Sequence, residues 1–334
     1  MKKARHTSMK KTKIGILGAG GIAALMAKTI TRMPQAEAYA VAARDSKRAK
    51  AFAETWGFTC AYGSYEDMLK DPQVELVYIA TPHSHHFAHG MMCLQHGKHV
   101  LCEKAFTANA AQAEEMIAFA EEKKLLLTEA IWTRYMPSVS MIQEVLDSGV
   151  IGTPTLLTAN LGYLVAQNER MIRPELAGGA LLDLSVYPIN FASMIFGKNI
   201  TNITSSAVMA DTGVDAMDSI TLCFKEGRMA VLTSTMLAQT DRRGIVYGEK
   251  GYLVVDNINN PQKVSVFSLE WKEVAAYEVP EQITGYEYEV LSAIRAIEEG
   301  RTECPEMPHS ETIRIMKVMD EIRGSWGMRF PFEA

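Results

Sequence analysis

Apolar residues recur along the first 130 positions in two alternating patterns. Short apolar runs predict strands at 13–18, 37–43, 75–80, 98–103 and 125–130. Segments with helical spacing lie between them, at 22–33, 46–56, a stretch that ends near Gln95, and 111–124. Near-continuous apolar strands that alternate with helices are typical of a parallel sheet covered on both faces. Because crossovers between parallel strands are right-handed, the pattern predicts a doubly wound α/β domain.

The pattern changes after residue 130. A helix is predicted up to Gly149, and branched and apolar residues then alternate with turn-like segments from Ile200 to about Ala276. Two further helices are predicted near 285–299 and 310–323. The second half is therefore expected to be an α+β domain with a largely antiparallel, open sheet.

A chain of 334 residues is too long for one typical hydrophobic core, so two domains are expected. We predict a disordered basic leader over 1–12, a nucleotide-binding domain over 13–130 and a substrate and oligomerisation domain over 131–334. The C-terminal helix is expected to pack back on the first domain. Since the boundary has no linker rich in Gly or Ser, the two domains should pack closely.

The net charge and the cysteine content limit the classes of partner and the cellular compartment that are expected for this protein. The formal net charge of −5 gives no reason to expect nucleic acid or a membrane surface as partner. The uncharged run from Ile14 to Ala27 is too short to span a bilayer and contains four glycines. The five cysteines are scattered without a CxxC pair, which indicates reduced thiols and a cytoplasmic location.

The segment "KIGILGAGGIA" follows a predicted strand and opens a predicted helix. Gly18 permits the tight turn, and Gly20 allows the backbone to approach a pyrophosphate. Ala23 replaces the third glycine of the dinucleotide fingerprint. Free N–H groups at the helix start, around Gly21 and Ile22, would face the phosphates. We interpret this segment as a dinucleotide site; the alternative is a purely structural glycine-rich turn.

The end of the second strand, "VAARDSKR", indicates which cofactor is bound. An acidic residue at this place holds the ribose 2′-hydroxyl of NAD. Here Arg44 comes before Asp45, and an arginine can bind a 2′-phosphate in fork geometry. The sequence therefore favours NADP(H) over NAD(H), with Asp45 as a helix cap. In the alternative, Arg44 is a solvated charge and Asp45 binds the ribose.

The segment "ATPHSHHFAH" follows the strand at 75–80, at an edge where ligands bind in this architecture. We assign Thr81, Pro82 and His86 to the cofactor site. A metal site is disfavoured, because no nearby carboxylate or cysteine completes one. No metal is expected, and several of these histidines are expected at the surface.

Two further segments carry candidate chemistry. Glu103 and Lys104 lie at the carboxyl end of the strand at 98–103, where the lysine can bind the ribose or substrate or transfer a proton. Asp183 and Tyr187 are four residues apart, so they share one face of an otherwise apolar predicted helix over 177–197. The alternatives are a solvated ion pair at 103–104 and a structural Asp–Tyr pair.

The chain resembles the glucose-fructose oxidoreductase / inositol dehydrogenase / MocA family from about Lys13 to Phe330. The segments "GILGAGGIA", "KHVLCEK", "EAIWTRYMP" and "GGALLDLSVYPINF" carry the resemblance. "AVAARD" and "AYGSYEDML" are more similar to the branch of dimeric dihydrodiol dehydrogenase and NADP-dependent D-xylose dehydrogenase.

The resemblance implies an N-terminal Rossmann domain and a C-terminal α+β domain whose sheet forms homo-oligomers, dimers or tetramers. It also implies reversible hydride transfer between NAD(P) and a carbinol carbon of a sugar, polyol or diol. The family's catalytic lysine falls on Lys104, and its Asp and Tyr fall on Asp183 and Tyr187. Tyr187 would be the acid/base, with a pKa that Lys104 lowers. Trp132 and Arg134 would lie near nicotinamide and substrate.

One position departs from the family pattern. The proline of the Glu-Lys-Pro motif, where members often have a cis peptide, is Ala105 here. The geometry of the bond before Ala105 is left open. Two other functions stay open as well: a catalytically silent, cofactor-binding regulator, and an enzyme that uses tightly held NAD for hydrolysis or internal redox cycling.

Overall fold

A computed structural model describes residues 10–333. One sheet contains six strands in the order β3-β2-β1-β4-β5-β6. All its pairings are parallel. The strands are β1 (Thr12–Leu17), β2 (Ala36–Ala42), β3 (Cys60–Tyr62), β4 (Leu76–Ile79), β5 (His99–Glu103) and β6 (Leu127–Ala130). This strand order is that of the Rossmann fold.

Five helices belong to this part of the chain. They are α1 (Gly21–Ile30), α2 (Ser46–Trp56), α3 (Tyr65–Lys70), α4 (His83–Gln95) and α5 (Ala110–Lys123). The predicted doubly wound α/β architecture is confirmed. The short elements β3 and α3 were not predicted, because three half-buried residues and a six-residue helix are too short to establish a hydrophobic period.

The register of the sheet aligns the carboxyl ends of its strands. Leu17 lies beside Ala42 and Ile79, and Ile79 lies beside Cys102. The residues that follow these strands therefore meet along one edge of the sheet. Ligands of open α/β sheets bind at this edge.

The second sheet has eight strands in the order β14-β13-β12-β11-β7-β10-β9-β8. It is antiparallel except for the parallel pair of β7 and β10, which confirms the prediction. The strand β7, which the sequence pattern did not predict, lies in its middle. The strands are β7 (Pro154–Gly162), β8 (Ile200–Met209), β9 (Asp215–Phe224), β10 (Arg228–Thr235), β11 (Gly244–Gly248), β12 (Gly251–Val255), β13 (Lys263–Ser268) and β14 (Glu273–Glu278).

The remaining α-helices are α6 (Pro137–Asp147), α7 (Glu169–Ile172), α8 (Val186–Phe196), α9 (Glu287–Glu298) and α10 (His309–Ser325). Short 3₁₀ turns cover Trp132–Arg134, Pro174–Leu176, Lys225–Gly227 and Pro331–Glu333. A π-helical turn, Leu181–Ser185, leads directly into α8, so the predicted helix over 177–197 is not one regular α-helix. The apolar stretch Pro174–Phe196 is long enough to cross a bilayer, but 89% of its most apolar window is buried in the fold, as in a core helix.

The C-terminal helix α10 packs against α5 of the first sheet's layer. The backbone N–H of Ala110 donates to Asp320 at 2.7 Å, and Lys317 pairs with Glu114 at 2.6 Å. Of the leader predicted over residues 1–12, residues 1–9 lie outside the described part of the chain. Thr12 is already the first residue of β1.

Candidate active site

A cavity of about 780 Å³ opens along the carboxyl edge of the parallel sheet. It extends from the glycine-rich turn after β1 to the π-helical turn before α8. Its lining combines backbone of the strand ends with charged and aromatic side chains: Gly18, Ala19, Gly20, Gly21, Ile22, Ala43, Arg44, Asp45, Arg48, Tyr65, Ala80, Thr81, Pro82, His83, Glu103, Lys104, Asn168, Arg170, Asp183, Tyr187 and Tyr286.

The glycine-rich turn forms one wall of this cavity. Gly18 has φ +110°, and a Cβ there would lie 2.7 Å from the carbonyl oxygen of Ala80, so only glycine fits. At Gly20 and Gly21 an added Cβ would meet no described atom within 4 Å, because both face open space. No described side chain caps α1, so its first N–H groups are free for an anion. These features fit a dinucleotide pyrophosphate.

Two arginines line the cavity beside this turn. Asp45 caps α2 by accepting the backbone N–H of Lys47 at 2.9 Å, as the sequence predicted. Arg48, one turn into the same helix, donates to the carbonyl of Ala19 at 2.8 Å. Arg44 and Arg48 are thus four residues apart and both line the cavity. Arg48 was not predicted as a site residue, although its position four residues after Arg44 was the signal for it.

Lys104, Asp183 and Arg170 form a compact charge cluster at the inner part of the cavity. The Lys104 ammonium donates to the Asp183 carboxylate at 2.9 Å and to its backbone carbonyl at 2.8 Å. Arg170 binds both carboxylate oxygens, at 3.0 and 3.1 Å. Although burial opposes ionisation, Lys104 and Arg170 hold the pKa of Asp183 well below its usual range. The fold therefore fixes Asp183 as a carboxylate between two cations.

Tyr187 lines the cavity beside this cluster. Its hydroxyl accepts a hydrogen bond from the Trp132 indole N–H at 3.2 Å, and the Lys104 ammonium lies 5.1 Å from its ring centroid. Burial raises the pKa of Tyr187 well above its ordinary value. The expectation that Lys104 lowers this pKa is therefore not met, because Lys104 donates to Asp183 and desolvation of the phenol dominates.

Glu103 and Lys104 both line the cavity at the end of β5, but Glu103 does not orient the lysine side chain. One carboxylate oxygen of Glu103 accepts the backbone N–H of Lys104 at 3.2 Å, whereas the Lys104 ammonium is held by Asp183. The Lys104–Ala105 peptide bond is cis, which answers the question left open by the missing proline. Ala105 itself is buried.

The histidines after β4 are more buried than predicted. His83, His86 and His89 are buried, so the expectation that several histidines of this segment lie at the surface is wrong. His86 does not line the cavity, since its two ring nitrogens lie 2.7 and 2.9 Å from the carbonyls of Thr81 and Ala105. His83 does line it, with a ring nitrogen 3.7 Å from Asp183 and a pKa that burial lowers to about 3. His83 is therefore neutral and was missed as a site residue.

Trp132 and Arg134 lie behind the cavity wall rather than on it. The Trp132 ring stacks on Tyr286 with centroids 4.3 Å apart, and its indole N–H donates to Tyr187. Both Tyr286 and Tyr187 line the cavity. The Arg134 guanidinium donates a hydrogen bond to Asn190 at 2.6 Å and forms an ion pair with Glu311 of α10. The structure does not bring Arg134 to the cavity, because buried partners occupy its guanidinium.

Four other lining residues with polar side chains were not assigned from the sequence: Tyr65, Asn168, Arg170 and Tyr286. Tyr65 lies in the segment "AYGSYEDML", which supported the family resemblance, and Tyr286 opens a predicted helix. Asn168 and Arg170 lie in an irregular segment without periodicity. Across residues 10–333, no group of three or more His, Cys, Asp or Glu side chains is placed to hold a metal ion.

Comparison with known families matches both parts of the chain. A family described as "Oxidoreductase family, NAD-binding Rossmann fold" matches residues 12–131. The "GFO/IDH/MocA C-terminal domain" matches residues 139–254. The two matches together include every strand of the first sheet and most of the second.

Curated relatives and a solved structure are similar over nearly the whole length. A trans-1,2-dihydrobenzene-1,2-diol dehydrogenase from Homo sapiens is 35% identical over 95% of this chain and 97% of its own. The protein of the same name from Xenopus tropicalis is 32% identical, covering 96% and 99%. A 3-ketoreductase from Actinomadura kijaniata, crystallised with NADP and TDP-benzene, has a TM-score of 0.86 at 27% identity, covering 94% and 98%.

Proposed function

Because this chain belongs to the GFO/IDH/MocA family of oxidoreductases, we propose that it transfers hydride reversibly between NAD(P) and a carbon of a sugar, polyol or trans-diol. The family match and the named relatives confirm the sequence-based prediction of an NAD(P)-dependent oxidoreductase acting on CH–OH groups. The observation that carries the proposal is one cavity that joins the glycine-rich turn to Lys104, Asp183 and Tyr187.

Bound NAD(P) supplies or accepts the hydride, and the chain supplies the proton. Tyr187 holds that proton on its phenol oxygen at neutral pH, because burial raises its pKa. In the reductive direction Tyr187 donates this proton to the carbonyl oxygen as the alkoxide charge develops, and in the oxidative direction it receives the proton back. The phenol suits the role of acid, and the indole N–H of Trp132 fixes its position.

Lys104 supplies positive charge close to the reacting oxygen. Its ammonium is held by Asp183 and has one donor left for substrate or ribose hydroxyls. Asp183 therefore orients Lys104, while Arg170 keeps Asp183 ionised. A cation in a partly buried cavity stabilises a developing alkoxide more than it would in water.

We propose NADP(H) as the preferred cofactor, on the strength of Arg44 and Arg48 at the end of the cavity beside Asp45. Replacing Arg44 with alanine should raise the KM for NADP roughly tenfold or more, since a charge-assisted hydrogen bond contributes about 1.5–3 kcal/mol. The KM for NAD should change less than about twofold, because NAD has no 2′-phosphate for the arginine to bind. Steady-state kinetics with each cofactor measures both.

Lys47→Ala is the matched control. It removes the same charge one turn away, but Lys47 is exposed and does not line the cavity. Its KM values should stay near wild type. Equal changes for NADP and NAD in the Arg44 variant would refute the assignment of Arg44 to the 2′-phosphate.

A panel of sugars, polyols and trans-diols tests the main proposal. The panel is assayed separately with NAD and NADP, and nicotinamide absorbance is followed. Turnover of any member with release of reduced cofactor supports hydride transfer. Tight cofactor binding without turnover would favour the silent regulator, and cofactor that stays bound on dilution would favour hydrolysis or internal redox cycling.

We also propose a homo-oligomer, a dimer or tetramer, that forms through the eight-stranded sheet. On its open face an apolar row crosses neighbouring strands by direct pairing: Phe267, Tyr252, Tyr247, Leu156 and Met229. On the opposite face, the adjacent residues Val266, Leu253, Val246, Leu157 and Ala230 are buried. An exposed apolar row of this length is typical of a protein interface. For its location we propose the cytoplasm.

Met229→Glu tests the interface. Met229 is 41% exposed, so a charge there should leave the fold intact and disfavour burial of the row between subunits. We expect light scattering after gel filtration to give the monomer mass, where the wild type gives a multiple of it. Lys198→Glu, at an exposed position outside the row, is the control and should keep the wild-type mass.

A further inference from the structure

One ionisable group in the cavity has no role in the proton transfer proposed above. Glu103 ends β5 and lines the cavity, yet only 6% of the residue is exposed. One of its oxygens accepts the phenol O–H of Tyr78, and the other accepts the backbone N–H of Lys104. The carboxyl group is thus fixed in place, with access to the space where a ligand binds.

Charged and titratable groups around Glu103 shift its pKa. Burial is the largest influence and, with nearby Asp183, raises its pKa, whereas Lys104 and the hydrogen bond from Tyr78 lower it. The charge of Glu103 in turn raises the pKa of its titratable neighbours: Glu289 in α9, Tyr286 directly before α9, Tyr187 in α8, Arg170 in α7, and Cys102, Tyr78 and Glu129 in the sheet.

Two of these neighbours are themselves buried carboxyl groups. The carboxyl oxygens of Glu129 and Glu289 are buried and have no hydrogen-bond partner within the described residues. Burial raises the pKa of Glu289 well above its ordinary value, so Glu289 stays neutral near neutral pH, and it raises the pKa of Glu129 to about 7. Burial of Glu103, with a smaller contribution from Asp183, raises its own pKa to about 7. Small changes of charge in the cavity can therefore shift Glu103 between acid and carboxylate at neutral pH.

We propose that the ionisation of Glu103 discriminates between the two redox forms of the cofactor, the oxidised form binding with the carboxylate and the reduced form with the neutral acid. This inference rests on the proposed function. The oxidised nicotinamide ring carries a positive charge that the reduced ring lacks. A carboxylate in a cavity of low dielectric stabilises the cation and not the neutral ring. Binding of the oxidised form thus releases a proton from Glu103 to solvent.

The sign of the pH dependence follows from linkage. Because the oxidised cofactor binds best to the carboxylate, its affinity rises with pH until Glu103 is ionised in the free protein. The reduced cofactor does not share this dependence. The 2′-phosphate and its arginines are common to both forms, so their titration cancels in the ratio of the two dissociation constants. That ratio isolates the contribution of Glu103.

The test measures dissociation constants of NADP⁺ and NADPH by fluorescence titration. Between about pH 6 and about pH 8, the preference for NADP⁺ over NADPH should increase roughly fivefold to tenfold in the wild type, as expected for a shift of one pKa unit or more. In Glu103→Gln the ratio should be independent of pH. Calorimetry in buffers of different ionisation enthalpy should show more proton release with NADP⁺ than with NADPH in the wild type, and no difference in the variant.

Two further variants separate this effect from a general structural change. Glu289→Gln alters a buried carboxyl group that does not line the cavity, and should keep the pH dependence of the ratio. Tyr78→Phe removes a hydrogen bond that favours the carboxylate, and should move the midpoint to higher pH. This second shift tests the proposal even where Glu103→Gln does not fold.

The outcomes are distinguishable. A wild-type ratio that does not change with pH, or a Glu103→Gln ratio that changes as the wild type does, would overturn the role of Glu103 alone. Failure of both NADP⁺ and NADPH to bind would overturn the proposed cofactor and this inference together.

Discussion

Replacing Tyr187 with phenylalanine should lower kcat by about a hundredfold or more, the scale of acid–base assistance. Phenylalanine keeps the ring against Lys104 and removes only the hydroxyl that accepts from Trp132. Because the proton donor is lost while the cavity keeps its shape, KM should change little. Turnover of the best substrate from the panel, measured with saturating cofactor, gives the result.

Tyr286→Phe is the comparison for this variant. Tyr286 also lines the cavity, and phenylalanine preserves its stacking on Trp132. Its hydroxyl makes no hydrogen bond within residues 10–333, so we expect a loss of less than about tenfold. The free energy of unfolding of both variants, measured in urea, checks that the fold is intact. Near-normal turnover in folded Tyr187→Phe would refute its role as the proton donor.

Replacing Asp183 with alanine should cost about 3 kcal/mol of the free energy of unfolding at neutral pH, the lower end of the range for breaking a buried ion pair. The Lys104 side chain is only 13% exposed and would lose its partner. Arg170 is 43% exposed and contributes less, because solvent can replace its contact. Urea unfolding without cofactor measures the loss. Turnover should fall as well, because Lys104 is no longer held in place.

Two companion variants test the cause of this loss. Asp183→Asn keeps the volume and one acceptor oxygen, so its loss should be smaller. Combining Asp183→Ala with Lys104→Met should recover part of the stability, since no unpaired buried ammonium remains. A loss of less than about 1 kcal/mol in Asp183→Ala would contradict the ion-pair argument, because exposed pairs contribute that little.

The difference in the free energy of unfolding between wild type and Asp183→Ala should depend on pH. The pKa of Asp183 is lowered in the folded state, so its stabilising contribution is fully present above the unfolded value of about 3.9 and is lost as pH falls below it. The gap in stability between wild type and Asp183→Ala should therefore be constant near neutral pH and narrow in acid. A gap that widens as pH falls would contradict the assignment.

The Rossmann part of the fold could be predicted from the local pattern of apolar and polar residues. Buried parallel strands must be apolar throughout, and the helices that cover them must have an apolar face, so periodicity alone located five of the six strands. Gly18 could be assigned because its backbone conformation admits no other residue. The strand β7 was missed because it pairs with partners distant in sequence, and half of its residues face the open side of the sheet.

The sequence by itself determined the residue types of the site and the strand ends and turns that carry them, because those are set by short-range backbone and periodicity constraints. Only the tertiary structure decided how these groups interact. It joined Lys104 to Asp183 and Arg170 from an irregular segment, placed Arg134 in a buried ion pair with Glu311, and buried His86 between two carbonyls. It also set the pKa values of Tyr187 and Glu103, because desolvation and neighbouring charge depend on residues far apart in the chain.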